Sequence, residues 1–193
     1  IPDKESASFE TKVISDFCNI LRKTSDEGKY GTPIEDVAEQ LLEISSDPES
    51  DARALFKRAV FSYFMRDSDM HMKNISMLKT MNKETGDISV AFAPVYDAVP
   101  SIIFPTEQRE RDVLTGEVKF SYLYDRELSL PINGENQGLG EDDFVAFASK
   151  LNISEEEALE IVDGIARTCV NESVAILRNL PSLLSNDRET AFA

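Results

Sequence analysis

The chain has 193 residues, 41% apolar and 8% aromatic, enough to bury one substantial core. Lys and Arg number 20 against 36 Asp and Glu, a net charge of −16, so the chain is a poor direct partner for nucleic acid, whose binding proteins neutralise phosphates with cations. A single His leaves most His-rich zinc sites without ligands, the two Cys (Cys18 and Cys169) read as buried free thiols of a reducing compartment, and no apolar run approaches the ~20 residues that span a bilayer.

In chain order, helix signals dominate. Phe9, Val13, Phe17, Ile20 and Leu21 recur at helical spacing and predict a packed helix over residues 6–23. A turn follows at 26–31. Thr32-Pro33-Ile34-Glu35 combines a capping residue, Pro at the first helical position and Glu at the third, and Ile34, Val37, Ala38, Leu41 and Leu42 carry that helix on. Asp47-Pro48 starts another, whose apolar residues Leu55, Phe56, Ala59, Val60, Tyr63 and Phe64 lead into a polar stretch. Ile75-Ser76-Met77-Leu78 is β-like, a Gly-containing turn lies at 83–87, and Ile88-Ser89-Val90-Ala91-Phe92 returns as a hairpin. Between 100 and 140 the pattern is least readable. Residues 101–105 are apolar, 107–112 read as a short charged helix or a loop, and 118–124 alternate like a strand that pairs with 127–132. Ser154-Glu155-Glu156-Glu157 is a second capping box. Ala158, Ile161, Val162, Ile165, Ala166, Cys169, Val170, Val174 and Leu177 then form a stripe that reads as core, ended by Leu180-Pro181, with 185–193 frayed. The expected fold is mainly α with small β hairpins, one domain over residues 1–193.

The chemistry concentrates at Asp67-Ser68-Asp69-Met70-His71-Met72-Lys73-Asn74 and at Ala93-Pro94-Val95-Tyr96-Asp97. Asp69 and Asn74 stand five residues apart, the spacing a kinase catalytic loop uses between its base and a magnesium-binding Asn. Asp97, after the hairpin, supplies the second carboxylate such a site needs. Asp at the base position can accept a hydroxyl proton, and an amide oxygen with a carboxylate suits Mg²⁺. Asp-x-x-x-x-Asn alone occurs often by chance in exposed loops. The order helix, loop, hairpin, Asp raises it above that background.

These residues resemble the HipA-type Ser/Thr protein kinases of bacterial toxin–antitoxin systems. Asp69-Met70-His71-Met72-Lys73-Asn74-Ile75-Ser76 matches that family's D-x-H-x-K-N-x-S stretch, and Pro94-Val95-Tyr96-Asp97 its P-x-Y-D stretch. Leu128-Ser129-Leu130-Pro131-Ile132-Asn133-Gly134 is similar to its L-x-L-x-I-N-G strand and turn, and Glu141-Asp142-Asp143-Phe144-Val145-Ala146-Phe147-Ala148 to the helix after it. The resemblance runs from about residue 30 to the C-terminus. It implies a protein-kinase-like C-terminal lobe, with Asp69 as catalytic base, Asn74 and Asp97 on Mg²⁺, and His71, Lys73 and Tyr96 ordering the loop and the ATP. It also implies a helix-turn-helix, HipB-like antitoxin as partner, a protein substrate with an aminoacyl-tRNA synthetase among the candidates, and a bacterial cytoplasmic location. The departures are Met70, Met72 and Ile75 at variable positions, a longer hairpin, and Arg66-Asp67 where a small residue usually stands.

No G-x-G-x-x-G or G-x-x-x-x-G-K-[ST] occurs among the eight Gly, so the chain reads as a C-terminal lobe whose N-terminal lobe lies on the same or a separate polypeptide, and which is expected to be inactive alone. Two alternatives stand beside this. Aminoglycoside-type phosphotransferases share the Asp/Asn/Asp set but read H-G-D at the base. A non-catalytic interaction module would keep the lobe without turnover.

Overall fold

The computed structural model describes residues 10–23, 29–99, 106–111, 118–123 and 127–185. Its elements are β1 (Glu10–Asp16), α1 (Phe17–Ile20), α2 (Ile34–Ile44), α3 (Pro48–Met65), β2 (Ser76–Asn82), β3 (Ile88–Phe92), β4 (Thr106–Arg111), β5 (Val118–Leu123), α4 (Glu141–Lys150) and α5 (Glu155–Ser185). Strands β1, β2 and β3 form an antiparallel sheet in that order, and β4 pairs with β5.

The first segment is where periodicity misleads. Residues 10–16 form a strand, not the first part of a helix over 6–23. Its Thr11, Val13 and Ile14 are β-branched, and β1 pairs with β2 over its whole length from Glu10↔Asn82 to Asp16↔Ser76. Val13 and Ile14 are 51% and 64% exposed, so the apparent helical face was not a core face. Only Phe17 and Cys18, at the start of the one-turn α1, are buried. Asp16 caps that turn by accepting the Asn19 N–H at 2.8 Å.

Helix α3 is the centre of the core. Leu55, Phe56, Ala59 and Val60 are fully buried on it, and Phe56 packs on Phe147 of α4 with ring centroids 5.8 Å apart. Asp47 caps its start by accepting the Ser50 N–H, with Pro48 at the first turn, as the sequence predicts. On α2 the start shifts by one residue. Pro33 takes the cap position without a side-chain bond, and Glu35 instead accepts the Asn133 N–H at 2.8 Å. Asp51 of α3 is buried and accepts the Phe92 N–H at 2.8 Å, while Ser46 exchanges bonds with Val90. The outer edge of β3 is therefore covered by the α2–α3 connection rather than left open.

Further expectations change downstream. Residues 106–111 are a strand despite their charge, and they, rather than 127–132, pair with β5; Glu110 stands opposite Lys119 in register. At 127–135 the described backbone has a bridge between Ile132 and Glu135 around Asn133-Gly134, both at positive φ. Helix α5 continues through Pro181 to Ser185 rather than ending at Leu180-Pro181. Ala158 is buried against the core, but Val170 and Val174 are 62% and 38% exposed, so the later part of the stripe is not core. Cys18 and Cys169 are both free, and Cys169 is only half-buried. The predicted apolar run at 101–105 and the frayed end from 186 lie outside the described residues. No described helix is long and apolar enough to cross a membrane.

Phe56→Ala removes the ring around which α3 and α4 pack, and should lower unfolding free energy by about 3–5 kcal/mol. Urea denaturation measures it. A loss of well under about 1 kcal/mol would mean that this contact is not central to the core.

Candidate active site

Helix α3 ends on Arg66 in the left-handed region (φ 54, ψ 46), with its N–H on the Ser62 and Tyr63 carbonyls. Glycine takes that conformation most readily, and here Arg66 adopts it. The chain then turns through a polar loop whose apolar members face inward. Met70 and Met72 are fully buried and Ile75 is 2% exposed. The Phe17 N–H donates to the carbonyls of both Met72 and Ile75, at 3.1 and 3.0 Å. Between those anchors, Asp69 and Asn74 are half-buried and Lys73 is exposed.

Asp69 and Asn74 are in direct contact. Asn74 Nδ2 donates to the Asp69 carbonyl at 2.9 Å and to Asp69 Oδ2 at 3.3 Å. His71 Nε2 lies 3.4 Å from Asp69 Oδ1, and the His71 N–H donates to the Asp69 carbonyl at 2.8 Å. The imidazole is buried edge-on to Tyr30, with centroids 5.4 Å apart. Asp69, His71 and Asn74 thus form one cluster.

The second motif meets the first through Tyr96. Its hydroxyl donates to the Lys73 carbonyl at 2.8 Å and lies 2.5 Å from Ser76 Oγ. The residue beside Asp97 is therefore bonded to the residue beside Asn74. Asp97 itself is exposed, in the left-handed region at φ 53. Lys73 enters the cluster through its backbone, and no side-chain hydrogen bond or ion pair of Lys73 or Asp97 occurs among the described residues. No described group of three His, Cys, Asp or Glu could hold a metal ion. The donor set does suit a hard cation completed by phosphate and water. With Asn74 Nδ2 committed to Asp69, the amide oxygen is left over, and the Asp97 carboxylate has no other described partner.

Sequence reasoning missed the supports. Arg58 Nη2 meets Asp67 Oδ2 at 3.1 Å with side chains 3% and 1% exposed. Burial pushes the Asp67 carboxyl up and the Arg58 guanidinium down, each opposed by the other's charge. The available signal was Arg58 at a position that falls on the apolar face of α3, next to the exposed Lys57. Asp69 also borders a cleft of about 360 Å³ lined by Tyr30, Ser68, Glu127, Ser129 and Asn136, in which Ser129 Oγ bonds the Ser68 carbonyl. Its far wall comes from a segment 58 or more residues downstream, beyond the reach of local motif spacing.

These helices and the small antiparallel sheet define a fold shared with a bacterial toxin. HipA from a toxin–antitoxin system of Shewanella oneidensis MR-1, solved with HipB and its operator DNA, is similar to this chain at a TM-score of 0.53 and 19% identity. The match covers 84% of this chain and 37% of that one, so the chain spans little more than a third of that relative. The model of the HipA-like C-terminal domain matches residues 3–173, and the chain belongs to that family. No curated protein matches it.

Burial holds the His71 pKa below its ordinary 6.5, against the pull of the Asp69 carboxylate. The folded chain thus binds this proton less readily than the unfolded chain. Stability is full above the ordinary value and declines as pH falls through it. Because His71 is the only His, its imidazole signals in NMR are unambiguous and should titrate with a midpoint below 6.5. The melting temperature should also fall more between about pH 7.5 and about pH 5.5 in the parent than in His71→Gln. A midpoint above the ordinary value would contradict the buried, neutral assignment.

Proposed function

We propose that this chain is the C-terminal lobe of a HipA-type Ser/Thr protein kinase, which transfers the γ-phosphoryl group of Mg-ATP to a hydroxyl of a protein substrate. The observation that carries the reading is the junction of the two motifs. Asn74 is bonded to Asp69, and Tyr96 is bonded to Lys73. In this reading the substrate oxygen attacks the γ-phosphorus, the bond to the departing ADP oxygen breaks, and the hydroxyl proton passes to the Asp69 carboxylate. Asn74 orients that carboxylate through its Nδ2, and the nearby His71 imidazole limits its rotation. Asn74 and Asp97 would hold Mg²⁺, which neutralises phosphate charge when bound. Lys73 and Tyr96 would line the nucleotide side. Phosphoryl transfer depends almost entirely on positioning and electrostatics, so the lobe would need its N-terminal counterpart for turnover.

A HipB-like antitoxin is the proposed partner, as HipB accompanies HipA in the Shewanella complex, and a bacterial cytoplasm the proposed location. At a net charge of −16 this chain would leave contact with operator phosphates to the antitoxin. The HipA-like family and the lack of H-G-D at the base favour this over a small-molecule phosphotransferase, and the intact Asp69, Asn74 and Asp97 favour it over a module without turnover.

In the complete protein, Asp69→Asn should reduce transfer of radiolabelled phosphate to protein by roughly 10²–10⁴-fold, the usual contribution of a general base. Asp97→Ala should also remove activity, and added Mg²⁺ should not restore it. Asp69 is only half-buried, so the melting temperature should stay nearly unchanged in Asp69→Asn. Retained activity would refute the role, and a large fall in melting temperature would make Asp69 a structural partner instead.

A further inference from the structure

The Asp67 carboxylate, at the head of the first polar stretch, touches the segments that carry both motifs. Its side chain is 1% exposed, and donors from three separate parts of the chain converge on it. Arg58 of α3 reaches Oδ2 at 3.1 Å. The Asp69 N–H donates to Oδ1 at 3.2 Å. The Val99 N–H, two residues beyond Asp97, donates to the same carboxylate. Asp67 is itself fixed to the helix, since its N–H donates to the Ser62 carbonyl at 2.9 Å.

We infer that Asp67 is a positioning residue that clamps the loop bearing Asp69 to the segment bearing Asp97, with Arg58 as its buried counter-charge. A carboxylate can take all three donors at once, and bonds to an ionised acceptor are stronger than neutral ones. A buried ion pair is weak evidence for stability, because apolar replacements of similar volume often fold as well. What the pair supplies here is geometry. One carboxylate thereby joins the head of the loop to the segment two residues beyond Asp97, alongside the Tyr96 bond to the Lys73 carbonyl. The consequence for turnover rests on the kinase reading; the clamp itself does not.

The test separates the two. Asp67→Ala leaves Arg58 buried without its partner and can unfold the chain, so the decisive variant is Arg58→Met with Asp67→Leu, which removes both charges together. Backbone amide exchange in this chain should show the Asp69 and Val99 amides exchanging at least about tenfold faster than in the parent, with amides inside α2 within about twofold of it. Protection kept at Asp69 and Val99, or acceleration spread evenly over all helices, would overturn the clamp. In the complete protein the same variant should lower kcat at least about tenfold at nearly constant melting temperature. Unchanged kcat in an active parent would overturn the positioning role. A parent with no phosphoryl transfer would refute the kinase reading, while the exchange data would still decide the clamp.

Discussion

Residues 66–75 can hold polar groups in a fixed arrangement only because their apolar members are driven into the core. Met70, Met72 and Ile75 are the pins, and the Phe17 N–H closes the loop against the start of α1. Burying such side chains is worth about 1.5–3 kcal/mol each, which offsets the entropy of ordering a loop of this length. With Met70, His71 and Met72 all inward, Lys73 is left exposed and Asp69 and Asn74 half-buried at the loop's edges. The methionines at variable positions of the motif are therefore what holds its invariant-looking polar members in place.

The second constraint is the sheet. Strand β2 begins directly after the loop, and β3 returns beside it in a register that sets Met77 opposite Phe92. The Ala93 N–H then donates to the Ser76 carbonyl at 2.9 Å, extending the pairing by one step. The hairpin, however long, thus delivers Tyr96 to the height of Lys73 and Ser76. Its length is free to vary because the pairing near the loop, not the turn at Gly86, fixes where Asp97 falls.

How much of this was legible in the sequence depended on range. The Asp47-Pro48 cap, the hairpin and the two polar motifs were readable because each is signalled within a few residues. The strand β1 was not, since Phe9, Val13 and Phe17 mimic a helical face and the partner that makes it a strand lies 60 to 72 residues away. Strand β4 was hidden by its charge, which describes solvent exposure and not backbone pairing. The stripe of α5 was read as core throughout because apolar spacing says which face is apolar and not how far along the helix something covers it. At the site, the proposed ligands were legible and their supports were not. Arg58 and Asp67 look like ordinary polar residues until folding buries them against each other.

The central claim is that the loop and the segment after β3 together form one hard-cation site beside Asp69. Paramagnetic broadening by Mn²⁺, in the complete protein with a non-hydrolysable ATP analogue, tests it most directly. The account predicts that the backbone signals of Asn74 and Asp97 broaden together and at the same Mn²⁺ concentration, with His71 next. Broadening centred elsewhere on the lobe, or at Asn74 without Asp97, would contradict it.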